Sequence, residues 1–369
     1  MPLVLTDLDP HQKRIAGALM GAFIGEALGV GPHWFYDLKE LQKHYGNWID
    51  DYTHPMPGRY HDGLKPGDLS QSGLILALTI DSLLQSKGYD EDDFRQRFED
   101  EIFARIDGAP MSGPGGYTSQ SVREAFLRWR AKGRDWTGIA GPADSTEALE
   151  RTIAIGAFYA SDLKAMAAAV DQNARLLQYD ATVRSMTVAF NAVLALLIQG
   201  KRLDGNLSGD LMSSAKSGDL PFYVLTTGNL APPNSGEADP LRAEIFTSPD
   251  ALLSPSYMAR AAIDPTVQIE PAWKVSLVYG MPCAIYHMLP AAYYLAARFG
   301  DDFESGVLHA LNGGGQNQIR AMLTGTLIGA QLGIDGIPER FIEGLTDEEA
   351  LLSKVIELAV SSSAAAQES

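Results

Sequence analysis

The chain has 369 residues, 46% of them apolar, which is enough for a sizeable core in one large domain or two. Its formal charge of −17 would repel a phosphate backbone over most of the surface and excludes general nucleic-acid binding. A single cysteine, Cys283, leaves no intrachain disulfide framework and suits a reducing cytoplasm.

Residues 1–10 carry no basic stretch followed by an apolar core, so no secretory signal is expected and the chain is read as cytoplasmic. No uninterrupted apolar run of membrane-spanning length is expected either. Helical periodicity dominates the rest. It predicts helices over 11–29, 71–86, 90–106, 118–132, 145–160, 163–177, 180–199 and 208–216. Further helices are predicted over 249–262, 282–298, 302–311, 317–333, 338–344 and 347–361. Asp180, two residues before Thr182, is placed to cap one of them, and Ser145 precedes Glu147 and Glu150 in an acid-rich first turn. Alternating strand patterns are almost absent. The expected fold is all-α: one compact helical domain over residues 1–362, then a flexible tail at 363–369. Residues 30–68, dense in aromatics and histidines, are read as a functional loop. Residues 218–247 read as a second long connection, a lid or a disordered segment.

Gly17, Gly21, Gly25 and Gly29 recur every four residues and so share one helix face. Each costs a helix interior roughly 1 kcal/mol against alanine, so the row implies close packing, with Gly325 and Gly329 as the natural counterpart. Gly313, Gly314 and Gly315 precede that second helix, followed by Gln316, Asn317 and Gln318. Free N–H groups at such a helix start attract anions. The plain alternative is a glycine turn capping a buried helix.

These two stretches resemble the ends of the ADP-ribosylglycohydrolase family. The early block reads G-A-L-M-G-A-F-I-G-E-A-L-G, and the late block starts at Asn312 and runs to Ile337-Pro338. The resemblance implies a compact helical hydrolase whose magnesium is held by T-D-D-T and G-G-D-x-D-T motifs. Here those positions hold Leu69, Ser70, Gln71 and Ser72, then Gln316, Gln318 and Ile319. Magnesium prefers carboxylate, phosphate and water oxygens, so no metal is expected in this cradle and no cofactor is expected at all. The family's glutamate a few residues after the early block corresponds to His33.

His33 and His61 are candidate acid–base groups, with Asp144 and Glu147 as candidate catalytic carboxylates and Glu150 beside them. Glu26 is either paired structurally or poised near the site. Candidate substrate-binding residues are Tyr60, Asp62, Ser70, Gln71, Ser72, Tyr117, Thr118, Asn312, Gln316, Asn317, Gln318 and Trp273. The 113–121 glycine turn could cradle a ribose or phosphate, or simply cap a helix. Trp273 could stack on a base, with Lys274 neutralising a phosphate. Cys283 reads as a structural thiol.

The expected partner is a ribosyl or nucleotide-like small molecule. One reading is a glycohydrolase of a small molecule or ADP-ribosylated substrate that works without the usual magnesium site. The other is a catalytically silent relative that binds an ADP-ribose-like or nucleotide ligand.

Overall fold

The structure, a computed structural model, describes residues 7–223, 246 and 249–368, and side chains as far as 362. The described residues form sixteen α-helices and no β-strand, only isolated bridges. In chain order these are α1 (Pro10–Gly29), α2 (Leu38–Tyr45), α3 (Gln71–Ser86), α4 (Glu91–Glu101), α5 (Gln120–Ala131), α6 (Glu147–Phe158), α7 (Leu163–Arg175) and α8 (Ala181–Ile198). They continue with α9 (Leu207–Ser217), α10 (Asp250–Ile263), α11 (Val275–Tyr279), α12 (Ile285–Arg298), α13 (Phe303–Leu311), α14 (Asn317–Leu332), α15 (Glu339–Glu343) and α16 (Glu348–Glu368). The all-α expectation holds.

Helix α1 is the axis. Asp9 and Gln12 close a capping box at its start, and Pro10 occupies the first turn, where its missing N–H costs nothing. Every residue from Ile15 to Gly29 is buried, as expected of a helix surrounded on all sides. Helix α14 is buried from Asn317 to Ala330 and lies antiparallel to α1. Gly17 faces Gly329, Gly21 faces Gly325, Gly25 faces Ala321, and Gly29 faces Gln318. A Cβ at any of these four glycines would fall less than 3.0 Å from the opposing backbone. The glycine rows are therefore a contact surface between two helix backbones. The rest of the main core packs around this pair, with α3, α6, α8, α12, α13 and α16 as neighbours.

Three features differ from the sequence expectation. Helix α2 sits inside the stretch read as loop; Asp37 caps it through Lys39 N (2.8 Å), but Leu41 is its one buried residue. Its apolar face, Leu38, Leu41 and Tyr45, spans only eight residues, fewer than the window in which a helical period can be counted. Helix α8 is long and apolar enough to cross a membrane, contrary to expectation, but it is mostly buried among other helices as a core element. The last helix runs on to Glu368 where the apolar pattern ended near 361. Asp180 does cap α8, accepting from Thr182 N and Val183 N. Most of the 218–247 connection lies outside the described residues.

Candidate functional site

The site forms where four helix-associated segments converge. Helix α1 delivers Glu26 near its C-terminal end. The starts of α3 and α14 bring Ser70, Gln71 and Ser72 to the neighbourhood of Gln316 and Gln318. The start of α6 adds Ser145, Thr146, Glu147 and Glu150. All of these but Glu26, which lies behind Ser70 and Gln318, line a cavity of about 80 Å³ with His33, Trp34, His61 and Tyr117 from the loops. That is room for a single ring, well short of the few hundred Å³ of a typical drug-sized pocket.

Two loop residues hold backbone angles unusual for side chains with a Cβ: Trp34 at φ 60° and His61 at φ 65°. Such angles persist where the surroundings enforce them, commonly at functional sites. Here the enforcing partners are visible. Trp34 N donates to Gly315 O (3.0 Å), and Gly116 presses against the His61 backbone. The Trp34 ring stacks on His33 with centroids 4.3 Å apart and meets Tyr117 edge-on at 4.7 Å.

The polar groups form three linked clusters. His61 Nδ1 meets Gly115 O at 2.8 Å, His61 Nε2 meets His33 Nδ1 at 2.6 Å, and His33 Nε2 meets Gln316 Oε1 at 2.5 Å. Glu26 accepts from Ser70 N (3.0 Å), from the Ser70 hydroxyl and from Gln318 Nε2 (3.2 Å). Glu150 accepts from the Ser72 hydroxyl (2.6 Å) and the Thr146 hydroxyl (2.7 Å), while Ser145 donates to Glu147. Gln71 is spent on the neighbouring turn, donating to Thr118 Oγ1 (3.1 Å) and accepting from Ser119 N (3.3 Å).

Burial sets the protonation of these groups. It pushes the Glu26 carboxyl up to about 7. Burial and then the like charge of Glu147 push Glu150 up to about 7 as well, and burial raises Glu147. His61 is lowered by burial to about 4, and His33 well below its usual value by burial and its histidine neighbour. Arg151 is buried on the same wall, its Nε donating to Asn173 Oδ1 (2.7 Å), and its charge only partly offsets the raise of the two glutamates. A carboxyl raised in the fold stabilises it below the unfolded value near 4.5, and that contribution is lost as pH rises through about 7. Glu26→Gln therefore gains stability relative to wild type by about 1.4 kcal/mol per pH unit across that window. Urea denaturation at several pH values between 4.5 and 7 measures it; a difference that stays flat would show that Glu26 is ionised throughout.

The predicted residues divide clearly. The cavity gathers His33, His61, Ser70, Gln71, Ser72, Tyr117, Glu147, Gln316 and Gln318. Thr118 is fully buried just behind Gln71, and Tyr60 packs edge-on against Trp34 and Tyr117. Asp144 is exposed and accepts from the Tyr286 hydroxyl (2.6 Å), outside the cavity. Asp62 is exposed and accepts from Gly58 N (2.8 Å), because the strained turn at His61 sends the next side chain outward. Asn317 points back to Pro32 O and Leu311 O, and Asn312 clasps Ile49; both serve the loop framework. Trp273 lines a separate small cavity with Asn312. Trp34, Ser119 and Cys283 line the site without having been singled out for it. Trp34 directly follows His33, the one signal that marked it. The Cys283 thiol is pushed up to about 11 by burial and then by Glu147, which keeps it protonated.

The family pattern described as ADP-ribosylglycohydrolase matches residues 7–368, nearly the whole chain. The chain belongs to the ADP-ribosylglycohydrolase family. Members are hydrolases, and membership supports a glycohydrolase-type activity. A solved structure titled "ADP-ribosylglycohydrolase-related protein complex" superposes with a TM-score of 0.62 at 18% identity, covering 96% of this chain and 100% of that one. At that identity it shows a shared fold. No curated protein matches the sequence.

The positions that the family resemblance gives to magnesium's carboxylates hold Ser70, Gln71, Gln316 and Gln318, neutral groups that suit magnesium poorly. The donors of Ser70 and Gln318 are turned to Glu26, which leaves their oxygens free, while both ends of Gln71 serve the 118–119 turn. Ile319 is buried and apolar. Among the described residues no three His, Cys, Asp or Glu side chains are grouped to hold a metal ion.

Proposed function

We propose that this ADP-ribosylglycohydrolase-family chain cleaves a ribosyl or related glycosyl bond of a small molecule or ADP-ribosylated substrate, without a divalent ion in the role the family gives magnesium. The observation that carries the reading is the pair Glu147 and Glu150, two carboxyls on the wall of one small cavity, both raised by burial and Glu150 further by the charge of Glu147. Like-charged carboxyls resist ionising together, so the pair holds a proton near neutral pH and titrates as a unit. That is the equipment glycoside cleavage needs. A protonated carboxyl hands its proton to the departing group as the glycosidic bond breaks. An ionised one stabilises the oxocarbenium-like charge and accepts a proton from the water that attacks the anomeric carbon.

The histidines support a different role from direct proton transfer. Their ring nitrogens are engaged within the protein, at Gly115, at each other and at Gln316. They position the amide of Gln316. Trp34 and Tyr117 supply apolar ring surface for a sugar. The cavity admits one ring, so any remainder of a larger substrate lies outside it. The surface charge of −17 and the enclosed cavity favour a small-molecule partner over nucleic acid.

Turnover of ribosides and ADP-ribosylated peptides, measured in excess chelator, tests this reading. Hydrolysis is expected to persist undiminished in chelator. Activity that requires added magnesium would overturn it. Calorimetric binding of ADP-ribose with no product after long incubation would instead establish the silent binder.

A further inference from the structure

The hydrogen-bond chain from Gly115 to Gln316 contains a counting problem. The Gly115 carbonyl can only accept, so His61 Nδ1 carries a proton. A neutral His61 then has a bare Nε2, which must receive its bond from His33 Nδ1. A neutral His33 in turn has a bare Nε2, and that atom faces the side-chain amide of Gln316. Two neutral imidazoles hold two ring protons; the chain as drawn through Gln316 Oε1 would need three. Both rings are buried, at 4% and 1% exposure, with no carboxylate bonded to either, so a third proton would be an unpaired buried cation. The lowered proton affinity of both rings points the same way.

Rotation of the terminal amide removes the conflict. Gln316 then donates through Nε2 to His33, and its carbonyl oxygen becomes the end left for the cavity. Gln318 is arranged alike: its Nε2 donates to Glu26, leaving Oε1. The hydroxyl protons of Ser70 and Ser72 are likewise turned to Glu26 and Glu150, leaving oxygen lone pairs.

We infer that His61, through His33, and Glu26 act as positioning residues that turn the floor of the cavity into a surface of acceptor oxygens, selecting the hydrogen-donating hydroxyl face of a sugar. The floor's donors converge inward on buried protein acceptors, and its remaining oxygens meet a ligand that must supply hydrogens. Naming a sugar as the ligand rests on the glycohydrolase reading; the orientation of the floor does not.

Nitrogen NMR of the full-length protein with ¹⁵N-labelled histidine tests the orientation directly at pH 7. His33→Gln and His61→Gln assign the signals. The expected pattern is two neutral rings, each protonated at Nδ1 with Nε2 bare. A proton on His33 Nε2 in the wild type would overturn the inference, because Gln316 would then keep its oxygen on the ring. The expected tautomers with no glycoside turnover would remove the glycohydrolase reading and leave the oriented floor standing.

Discussion

Glu150→Gln is expected to fold and to lose glycoside turnover by roughly 10²–10⁴-fold, the usual effect of removing a general acid or base. The amide is nearly isosteric with the carboxyl; its oxygen can still accept from one of the Ser72 and Thr146 hydroxyls, and its NH2 can donate to the oxygen of the other. It also removes the buried like-charge contact with Glu147, so the fold has no reason to weaken. What disappears is the exchangeable proton. The pH profile of kcat/KM should show this independently. The wild type is expected to have a limb near pH 7, where Glu150 titrates, and the variant should lack it. Steady-state kinetics across pH 5 to 9 would decide. Turnover within threefold of wild type, with the limb retained, would place the chemistry elsewhere.

Gly21→Ala is expected to destabilise the protein by on the order of 3 kcal/mol or more, at the upper end for an overpacked core position. The added methyl would fall less than 3.0 Å from the carbonyl of Gly325. A side chain in that place could rotate away; a helix backbone cannot. Helix α14 would have to separate from α1 along the whole glycine row. Gly209→Ala is the matching control. It lies within α9 and an added Cβ there meets nothing within 4 Å. That change should stabilise by about 0.5–1 kcal/mol, because alanine is the better helix former and restricts the unfolded chain. Urea denaturation of the two variants would show shifts of opposite sign. Equal effects would mean that the α1–α14 contact tolerates separation.

The glycine rows were legible because close backbone packing has a local signature: residues that weaken a helix in isolation, repeated on one face. Ser70, Gln71, Gln316 and Gln318 were picked out only by the family resemblance, which places charged residues at those positions. Glu147, His33 and His61 were singled out from residue type and nearness to those positions. Residue type misled at Asp144 and Asp62, whose side chains face solvent although their neighbours line the cavity. Adjacent residues on an irregular loop diverge, and nothing in their spacing tells which one turns inward. Helix α2 escaped because its eight residues are too few for a helical period to be counted.

The order of the chain alone determined that this is a helical protein built on two glycine-lined helices. Helix periodicity and side-chain chemistry are local properties, readable one segment at a time. Only the tertiary structure decided that Glu147 and Glu150 share a wall, that Glu26 gathers Ser70 and Gln318, and that two histidines 28 positions apart touch ring to ring. Those relations depend on burial and on which donor meets which acceptor. Both arise only when distant segments are packed against each other and water is removed between them.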